Sequence, residues 1–393
     1  MNILYITQTL PLPLDNGGNI KSYSTISLLK KLGHNVTIFS FVDDEYKIKY
    51  EKMLKEKDFI IGKTKKNSFI TIKRNGFVKI IIHYLLNFLS IKPYSVSKFY
   101  CKDFASSIED YVKTHQIDCV WIGYLSMSQY LPEETGYLKI LEQHNVDSIF
   151  YWRMFQNDSF LRWKIFAFFE WIKYLLYEKN QLKKFDKITV MSDVDKYFIK
   201  NITHRNNIIV TPPTIKYKIP FNKNREKKTL LFVGSLRWYP NKDGIYWYLK
   251  SIHPKLIKLI PDIHINIIGK LPRRNIFPIY PGVKFWGYQR NLERFWKKST
   301  VFIVPIRYGS GLRLKILEAM SWGIPIISTD EGAKGLEVKN GREILLVQSG
   351  KDFTDKIELL LNKKNLQKKL VENAYIFLSK NHSLNKLQKI FTT

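Results

Sequence analysis

The 393-residue chain is poor in cysteine, in acidic residues and in long apolar runs. Its two cysteines, Cys101 and Cys119, cannot form a disulfide framework, so a reducing compartment is favoured. No stretch reaches the ~20 apolar residues needed to span a bilayer. The first residues form a strand pattern without a basic lead, unlike a signal peptide. We therefore expect a cytoplasmic protein, free or peripheral on the inner face of the cell membrane.

Several motifs are also missing from the sequence. It contains no G-x-x-x-x-G-K-[ST] segment, which argues against ATP hydrolysis on a P-loop. No H-x-x-H, D-x-D or cysteine pair offers a metal site at convincing spacing, so we expect no metal and no other cofactor.

Acidic residues are few relative to basic ones: 34 Asp and Glu stand against 64 Lys and Arg, a net charge of +30. Residues 1–200 hold 29 basic and 21 acidic residues, whereas residues 201–393 hold 35 and 13. This field attracts nucleoside diphosphates, anionic lipid surfaces or nucleic acid. Compositional drift is the alternative reading, because Lys, Ile and Asn are all abundant. The sequence has no recognisable nucleic-acid module, so we expect no specific nucleic-acid partner.

Length and pattern predict an α/β protein with two Rossmann-like, doubly wound parallel-sheet domains facing a cleft. A segment with three prolines, residues 212–228, predicts the linker. We assign residues 1–212 to an acceptor-side domain, 213–378 to a nucleotide-sugar domain and 379–393 to a helix crossing back to the first domain. Apolar runs predict strands at 2–7, 34–41, 69–72, 119–123, 138–143, 188–192, 208–211, 230–234, 263–268, 283–287, 301–305 and 326–329. Helical patterns cover 19–32, 160–187, 240–260, 291–298, 353–362, 365–378 and 384–391.

The most informative run is residues 305–336, which forms a strand–loop–helix–strand pattern. Its glycine-rich loop allows a phosphate to approach the backbone at a helix N-terminus. Cationic Arg313 and Lys315 begin the helix, and the carboxylate of Glu318 follows one turn later. Phosphate and ribose hydroxyls are the ligands that suit such groups. The predicted donor-binding residues of this run are Ser310, Gly311, Leu312, Arg313, Lys315 and Glu318.

This run resembles the nucleotide-sugar loop of retaining glycosyltransferases of the GT-B fold, and more narrowly glycosyltransferase family 4. The resemblance implies that Lys315 meets the donor diphosphate and that Glu318 accepts hydrogen bonds from ribose hydroxyls. The family usually carries two glutamates eight positions apart. Glu318 occupies the second of these positions, and the first is Ser310 in this sequence. The departure matches a branch with the pattern G-S-G-x-R-x-K and removes one catalytic-site assignment.

Two further loops are predicted to contact the donor. Gly17 and Gly18 follow the first strand, where backbone N–H groups can close on a phosphate, although a plain tight turn would look the same. Gly234 and Ser235 follow the first strand of the second domain. The resemblance adds a diphosphate clamp formed by Arg237 and Lys242; a solvated basic loop is the alternative.

His144 follows the strand at 138–143, at the sheet edge where a cleft residue belongs. The resemblance implies that it reaches the reacting sugar or the acceptor; a capping or core histidine is the alternative. Glu142, Asp147 and Ser192 are weaker candidates nearby. The predicted catalytic residues are His144, Lys315 and Arg237.

The segments 77–94 and 160–187 mix aromatic, aliphatic and basic residues. Each is typical either of an amphipathic helix on an anionic membrane or of a helix packed on the first domain.

The combined prediction is a metal-independent transferase that moves a sugar, with retention, from a nucleoside-diphosphate sugar to a hydroxyl of a carbohydrate or lipid-linked acceptor. The resemblance points to bacterial surface polysaccharide or glycolipid assembly. Two alternatives remain open: a nucleotide-sugar epimerase or other GT-B enzyme such as a phosphorylase, and a basic protein that binds nucleic acid or membrane without catalysis.

Overall fold

The computed structural model describes residues 1–12, 17–42, 48, 52, 55, 60–66, 90–133, 136–158, 160–215, 225, 226, 228–272, 276–309 and 311–382. The chain divides into two compact units. The first consists of Met1–Trp152 and Ile165–Pro213, and the second of Arg153–Lys164 and Thr214–Thr393. The sequence did not indicate that Arg153–Lys164 is grouped with the second unit. The predicted crossing of residues 379–393 falls largely outside the described residues and stays a prediction.

The first unit is built on a seven-stranded sheet in the order β3-β2-β1-β4-β5-β6-β7, with every pair parallel. This is the doubly wound order, in which the chain direction across the sheet reverses between β1 and β4. The strands are β1 (Asn2–Thr7), β2 (Asn35–Val42), β3 (Ile60–Lys66), β4 (Cys119–Gly123), β5 (Leu138–Gln143), β6 (Lys187–Val190) and β7 (Ile208–Val210).

Helices connect these strands, as parallel pairing requires. They are α1 (Gly17–Lys31), α2 (Tyr94–Lys98), α3 (Lys102–Thr114), α4 (Asp147–Asn157), α5 (Leu161–Gln181) and α6 (Asp193–Thr203), with short 3₁₀ helices at Leu125–Tyr130 and Leu182–Lys184. The middle strands are buried along nearly their whole length because helices cover both faces. β1 and β4 pair in register from Ile3 with Cys119 to Thr7 with Gly123, which brings their carboxyl ends together.

The second unit repeats the plan with a six-stranded sheet, order β10-β9-β8-β11-β12-β13, again with parallel pairs. Here the reversal lies between β8 and β11. The strands are β8 (Thr229–Val233), β9 (His264–Ile268), β10 (Val283–Gly287), β11 (Val301–Val304), β12 (Ile326–Thr329) and β13 (Leu345–Val347). The helices are α7 (Tyr239–Ser251), α8 (His253–Leu259), α9 (Glu293–Lys298), α10 (Leu314–Ser321), α11 (Asp330–Ala333), α12 (Gly350–Asn362) and α13 (Lys364–Asn381).

The core of the second unit follows directly from side-chain periodicity. In β9, Ile265 and Ile267 share one face and are fully buried. In α12, Phe353, Ile357 and Leu360 are buried at the i, i+4, i+7 spacing that places them on one side of a helix. These two periods, two for strands and about 3.6 for helices, bring the apolar faces together.

The α/β class and the doubly wound sheets are confirmed, and three local predictions are corrected. The helix predicted at 240–260 is two helices that meet at Ile252, because Pro254 lacks the N–H that a continuous helix would need. The first helix begins at Gly17, so Gly17 and Gly18 form its first turn instead of preceding it. Arg313 precedes α10 as its N-cap residue and is not helical. The predicted strand at 69–72 and helix at 384–391 lie outside the described residues.

Candidate functional site

The loop after β8 holds the predicted residues Gly234, Ser235 and Arg237. The Gly234 N–H donates to the Ile268 carbonyl at 2.9 Å. A side chain at Gly269, which has φ of +148°, would lie 2.0 Å from the Gly234 carbonyl oxygen, so only glycine allows these backbones to approach. The exposed Arg237 donates from Nε to the Leu271 carbonyl at 2.9 Å. The loop is thus held at the carboxyl end of β8.

The loop after β11 lies at the same edge of the sheet, because β8 and β11 are parallel neighbours. Gly309 and Gly311 have φ of +144° and +70°, a region that other residues rarely adopt. Leu312 is buried. Arg313 donates from Nη1 to the Gly311 carbonyl at 3.1 Å, and its guanidinium lies 5.1 Å from the centre of the Trp238 ring. Ser310 lies outside the described residues.

Lys315 and Glu318 face each other one turn apart on α10. Lys315 Nζ lies 2.7 Å from Glu318 Oε2, and the two side chains are 23% and 17% exposed. Gly323, with φ of +59°, follows the helix end as the sequence indicated. The structure therefore brings a cation and a carboxylate together at the start of a helix that follows a glycine loop.

Lys242 has a different environment from that of a diphosphate clamp. Its Nζ lies 4.8 Å from the centre of the Tyr239 ring, 5.2 Å from Trp163 and 5.4 Å from Phe160. Burial lowers its pKa, while Asp158 acts in the opposite direction. Cation–π contacts hold this buried ammonium. Its predicted contact with the donor is not tested by this geometry, which shows it in a structural role.

Three side chains that sequence reasoning missed support the loop after β11. Arg153 Nη1 donates to the Gly309 carbonyl at 2.5 Å. The Tyr308 hydroxyl donates to the Asp158 carboxylate, and both side chains are buried. No local pattern marks these contacts, because about 150 residues separate the partners in the chain.

In the first unit, Glu142 on β5 is a buried carboxylate with several donors. Lys21 Nζ lies 3.0 Å from its Oε1, Thr25 donates to Oε1 at 2.6 Å, and the Tyr5 hydroxyl donates to Oε2. Burial alone would raise the pKa of Glu142, but Lys21, then His144 and Thr25, outweigh burial and hold it far below its usual range. Glu142 is therefore ionised at neutral pH.

His144 is buried beside this carboxylate. Its Nε2 lies 3.6 Å from Glu142 Oε2, and its ring lies 4.0 Å, centre to centre, from the ring of Tyr124. Tyr124 has φ of +84°, an unusual conformation for a residue with a side chain. The structure thus places the predicted His144 at the carboxyl edge of the sheet, held by Glu142 on one side and Tyr124 on the other.

A cavity of about 150 Å³ opens beside His144 within the first unit. The carboxyl ends of β1, β4 and β5 each contribute to its wall, through Gln8, Tyr124 and Asn145 respectively. Aromatic rings complete it; those of Tyr151 and Tyr174 stack at 5.3 Å. The described residues that line it are Gln8, Ser95, Tyr124, Leu125, Ser126, His144, Asn145, Asp147, Phe150, Tyr151 and Tyr174, which include no lysine or arginine.

Asp147 contributes a buried carboxyl group to this cavity. Burial, and then the nearby Glu178, raise the pKa of Asp147 well above its usual value. Glu178 accepts hydrogen bonds at the N-terminus of α4 from Asp147 N, Ser148 N and Ser148 Oγ, and burial raises the pKa of Glu178 to about 7. The described lining of the cavity is thus polar and aromatic. Ser192, in contrast, is the N-cap of α6 and accepts from Asp195 N, a structural role.

The helix α5 presents an apolar stripe to solvent. Leu161, Ile165, Phe169, Ile172 and Leu176 are all exposed. At 3.6 residues per turn their spacing confines them to an arc of about 80°. Basic Arg162 and Lys164 lie beside the stripe.

Among the described residues, no helix is both long and apolar enough to cross a membrane. In the same part of the chain, no group of three His, Cys, Asp or Glu side chains is arranged to hold a metal ion. The prediction that no cofactor takes part is not tested by this observation.

The fold and the second unit define the class of protein. Residues 227–363 match the sequence model of the family described as glycosyl transferases group 1. The whole chain superimposes on S. aureus TarM, crystallised with fondaparinux, α-GlcNAc-glycerol and UDP, with a TM-score of 0.71, 11% identity, and coverage of 100% of this chain and 99% of that one. The chain is a glycosyltransferase with the GT-B fold.

Two relatives are similar in sequence. An uncharacterised 44.6 kDa protein in the cps region of Klebsiella pneumoniae is 24% identical, over 98% of this chain and 97% of that protein. The other is an α-1,4-N-acetyl-D-galactosaminyltransferase of Campylobacter jejuni, whose name specifies an undecaprenol-diphosphate-linked acceptor. It is 27% identical, over 56% of this chain and 60% of its own length.

Proposed function

We propose that this glycosyltransferase belongs to family 4 and transfers a sugar from a nucleoside-diphosphate sugar to an acceptor hydroxyl with retention of configuration. The observation that carries the proposal is the Lys315–Glu318 pair on α10, directly after the glycine loop of β11 and beside the glycine loop of β8. A cation for the diphosphate and a carboxylate for ribose hydroxyls stand where open α/β sheets bind nucleotides.

The proposed chemistry is electrostatic stabilisation of the leaving diphosphate. As the bond from the anomeric carbon to the diphosphate oxygen breaks, Lys315, Arg237 and the N–H groups before α10 stabilise the developing negative charge. The acceptor oxygen bonds to the anomeric carbon on the same face, and its proton passes to the diphosphate. His144 is proposed to hydrogen-bond a hydroxyl of the reacting sugar, oriented by ionised Glu142.

We propose that no metal or other cofactor takes part. The proposal is supported by three cations that can balance a diphosphate without a divalent ion: Arg237 and Arg313 on the two glycine loops and Lys315 at the start of α10. Lys242 is left out of this set because aromatic rings surround its ammonium.

The proposed acceptor is a neutral sugar of a lipid-linked or polysaccharide chain. The cavity beside His144 supports this choice, since its lining is aromatic and polar and includes no lysine or arginine among the described residues. A ring with hydroxyls suits such a lining better than a phosphate does. The cps-region relative and the lipid-linked acceptor named for the Campylobacter relative agree with surface polysaccharide assembly.

A second proposal concerns location: the enzyme works in the cytoplasm, peripherally bound to an anionic membrane surface. Its support is the exposed stripe of α5, Leu161 to Leu176, with Arg162 and Lys164 beside it. Apolar side chains that enter the lipid boundary and cations that face anionic headgroups are the features of an interfacial helix.

The first experiment is a thermal-shift titration of the whole protein with UDP, GDP, ADP and CMP and their sugar derivatives, with and without EDTA. We expect one nucleotide to raise Tm, by mass action, and EDTA to leave the rise unchanged. UDP is the leading candidate because TarM was crystallised with it. Loss of the shift in EDTA would overturn metal independence, and no shift with any nucleotide would overturn the donor assignment.

Product analysis separates this proposal from the alternatives. With a transferase, each nucleotide sugar that is consumed yields either a glycosylated acceptor or, where water takes the place of the acceptor, a free sugar. An epimerase interconverts nucleotide sugars without an acceptor, and a pyridoxal-dependent phosphorylase would absorb in the near ultraviolet. NMR of the anomeric proton in the product decides retention: an inverted configuration would refute assignment to family 4.

A further inference from the structure

We infer that Arg153 and Asp158, which lie far from the second sheet in sequence, are positioning residues of the nucleotide-sugar site and hold its glycine loop in the binding conformation. This inference rests on the proposed function, because it assigns these residues to the same donor loop. Both belong to the segment Arg153–Lys164, which is grouped with the second unit although the surrounding sequence belongs to the first.

The first anchor is a buried hydrogen bond at the loop. The Tyr308 hydroxyl donates to Asp158 Oδ2, while Phe160 N donates to Asp158 Oδ1 at 2.8 Å. Tyr308 is fully buried and Asp158 is 3% exposed, so neither group has an easy exchange with water. A buried donor that loses its acceptor retains the full cost of its desolvation, so this pair favours one position of Tyr308 strongly.

The second anchor acts on the backbone of the next residue. Arg153 Nη1 donates to the Gly309 carbonyl at 2.5 Å and lies 3.5 Å from Glu331 Oε2. Gly309 has φ of +144°, and a side chain there would lie 2.1 Å from Arg313 Nη2. Because glycine has no side chain, its backbone can adopt many conformations. The charged donor on the Gly309 carbonyl restricts the backbone at this position.

The segment is itself fixed to the second unit by aromatic contacts. Phe160 and Tyr246 have ring centres 5.7 Å apart, and those of Trp163 and Tyr239 are 4.5 Å apart. Lys242 lies over Phe160, Trp163 and Tyr239. These contacts explain why Lys242 is buried: it holds the segment from which Arg153 and Asp158 reach the loop.

The consequence is preorganisation of the donor loop. A loop with glycines at 309 and 311 loses conformational entropy when it closes on a diphosphate, and that loss weakens binding. Two anchors that fix Tyr308 and Gly309 beforehand reduce the loss. Removing an anchor should thus weaken donor binding while the sheet and its core stay intact.

The test uses the conservative variants Tyr308→Phe and Arg153→Lys in the whole chain, with Lys297→Gln as the control. Lys297 belongs to the same unit, but it is exposed and pairs with Glu293 on α9. UDP, GDP and ADP are each titrated by calorimetry. For the nucleotide that the wild type binds, we expect Kd and donor KM to rise about tenfold in Tyr308→Phe and Arg153→Lys, while the acceptor KM of these variants stays unchanged. In Lys297→Gln we expect an unchanged Kd.

A double-mutant cycle and hydrogen exchange separate positioning from mere stability. Asp158→Ala combined with Tyr308→Phe should raise Kd no more than Asp158→Ala alone, since Asp158→Ala already removes the acceptor of the Tyr308 hydroxyl. Amide exchange in residues 305–313 should be faster in Tyr308→Phe than in wild type without any nucleotide present. Unchanged exchange and unchanged Kd would overturn the inference; faster exchange in a protein that binds none of the nucleotides would uphold the anchors and refute the proposed function instead.

Discussion

Lys315 Nζ and Glu318 Oε2 form a 2.7 Å ion pair across the first turns of α10, at the mouth of the glycine loop. In the proposed donor site, Lys315 binds the diphosphate and Glu318 binds the ribose hydroxyls. The ion pair restricts the positions of both side chains. A partly exposed i, i+3 pair contributes little to stability, so its value lies in orientation.

Replacing either member of this pair should therefore affect binding more than folding. For Lys315→Gln and Glu318→Gln we expect donor affinity to fall ~10- to 100-fold, because each removes a charge-assisted contact with the ligand, and Tm to stay close to wild type. The control is Lys297→Gln, which breaks an exposed helical ion pair with Glu293 in the same unit. Calorimetric titration with UDP, GDP and ADP measures the effect; wild-type affinity in both variants would remove α10 from the donor site.

Breaking the buried Lys21–Glu142 pair should, in contrast, lower the stability of the folded protein. Lys21→Met leaves ionised Glu142 without its main cation, and breaking such a buried pair costs about 3–5 kcal/mol of unfolding free energy. Lys21→Met with Glu142→Gln should recover part of this loss, because no uncompensated charge remains. Urea denaturation measures both. A double variant less stable than Lys21→Met alone would contradict this account of the pair.

The same cluster has a pH dependence of known sign. The pKa of Glu142 is depressed in the folded protein, so its contribution to stability is present above the ordinary carboxyl range and is lost as pH falls. Glu142→Gln should abolish that part of the acid sensitivity. Comparing urea midpoints of wild type and Glu142→Gln at falling pH tests this, and parallel curves would refute it.

The contribution of Glu178 to stability should change with pH in the direction opposite to that of Glu142. Its pKa is about 7 in the folded protein, against a usual value of 4.5, so between these pH values the unfolded chain has lost a proton that the folded chain keeps. Ionisation then favours unfolding, and stability from this group declines as pH rises from about 4.5 to 7, by up to about 3 kcal/mol.

Glu178→Gln reproduces the protonated form, since one amide oxygen can accept from Asp147 N and Ser148 N while the amide nitrogen donates to Ser148 Oγ. The variant should gain stability relative to wild type as pH rises through this window, measured by urea denaturation. Exposed Glu358→Gln is the control that removes one carboxylate elsewhere. A difference between Glu178→Gln and wild type that is constant from pH 4.5 to 7 would contradict the raised pKa.

Arg225 should matter for the stability of the helix that carries Lys315 and Glu318. Its guanidinium donates to the carbonyls of Ser299, Trp322 and Gly323 at 2.8 to 2.9 Å, and also to that of Trp296. These groups lie at the C-terminal ends of α9 and α10, where a cation is favourable. Burial lowers the pKa of Arg225 to about 10, and the group stays charged at neutral pH.

We expect Arg225→Met to cost about 2–4 kcal/mol, because several carbonyls lose a charged donor. Lys228→Met, three residues away and paired with Asp262 at the surface, should cost less than about 1 kcal/mol. Thermal denaturation of the two variants measures the difference; equal losses would show that the Arg225 contacts are not needed.

The stripe on α5 leads to a prediction about membranes. Leu176→Glu and Ile165→Glu should each weaken binding to phosphatidylglycerol vesicles about tenfold or more, since each removes an apolar group from the lipid boundary and adds a negative charge. Leu259→Glu, at an equally exposed leucine of the second unit, should have little effect. Vesicle sedimentation measures the binding. If Leu176→Glu and Ile165→Glu bind vesicles as well as the wild type does, the membrane proposal is refuted.

By itself the sequence determined the features that depend on local pattern. The strands β11 and β12, the glycine loop and the helix with Lys315 and Glu318 follow one another in a single run of the chain, and strand and helix periods mark them directly. The break at Ile252 was missed even though Pro254 marks it, because the apolar period continues through it.

Tertiary structure alone decided the partners of the buried polar groups. Lys21 with Glu142, Arg153 with Gly309, and Tyr308 with Asp158 join residues more than 100 positions apart. Buried polar side chains must be satisfied, but that requirement does not specify which distant residue satisfies them. Only the tertiary fold brings these distant residues together, and it also places Lys242 beside the rings of Phe160, Trp163 and Tyr239.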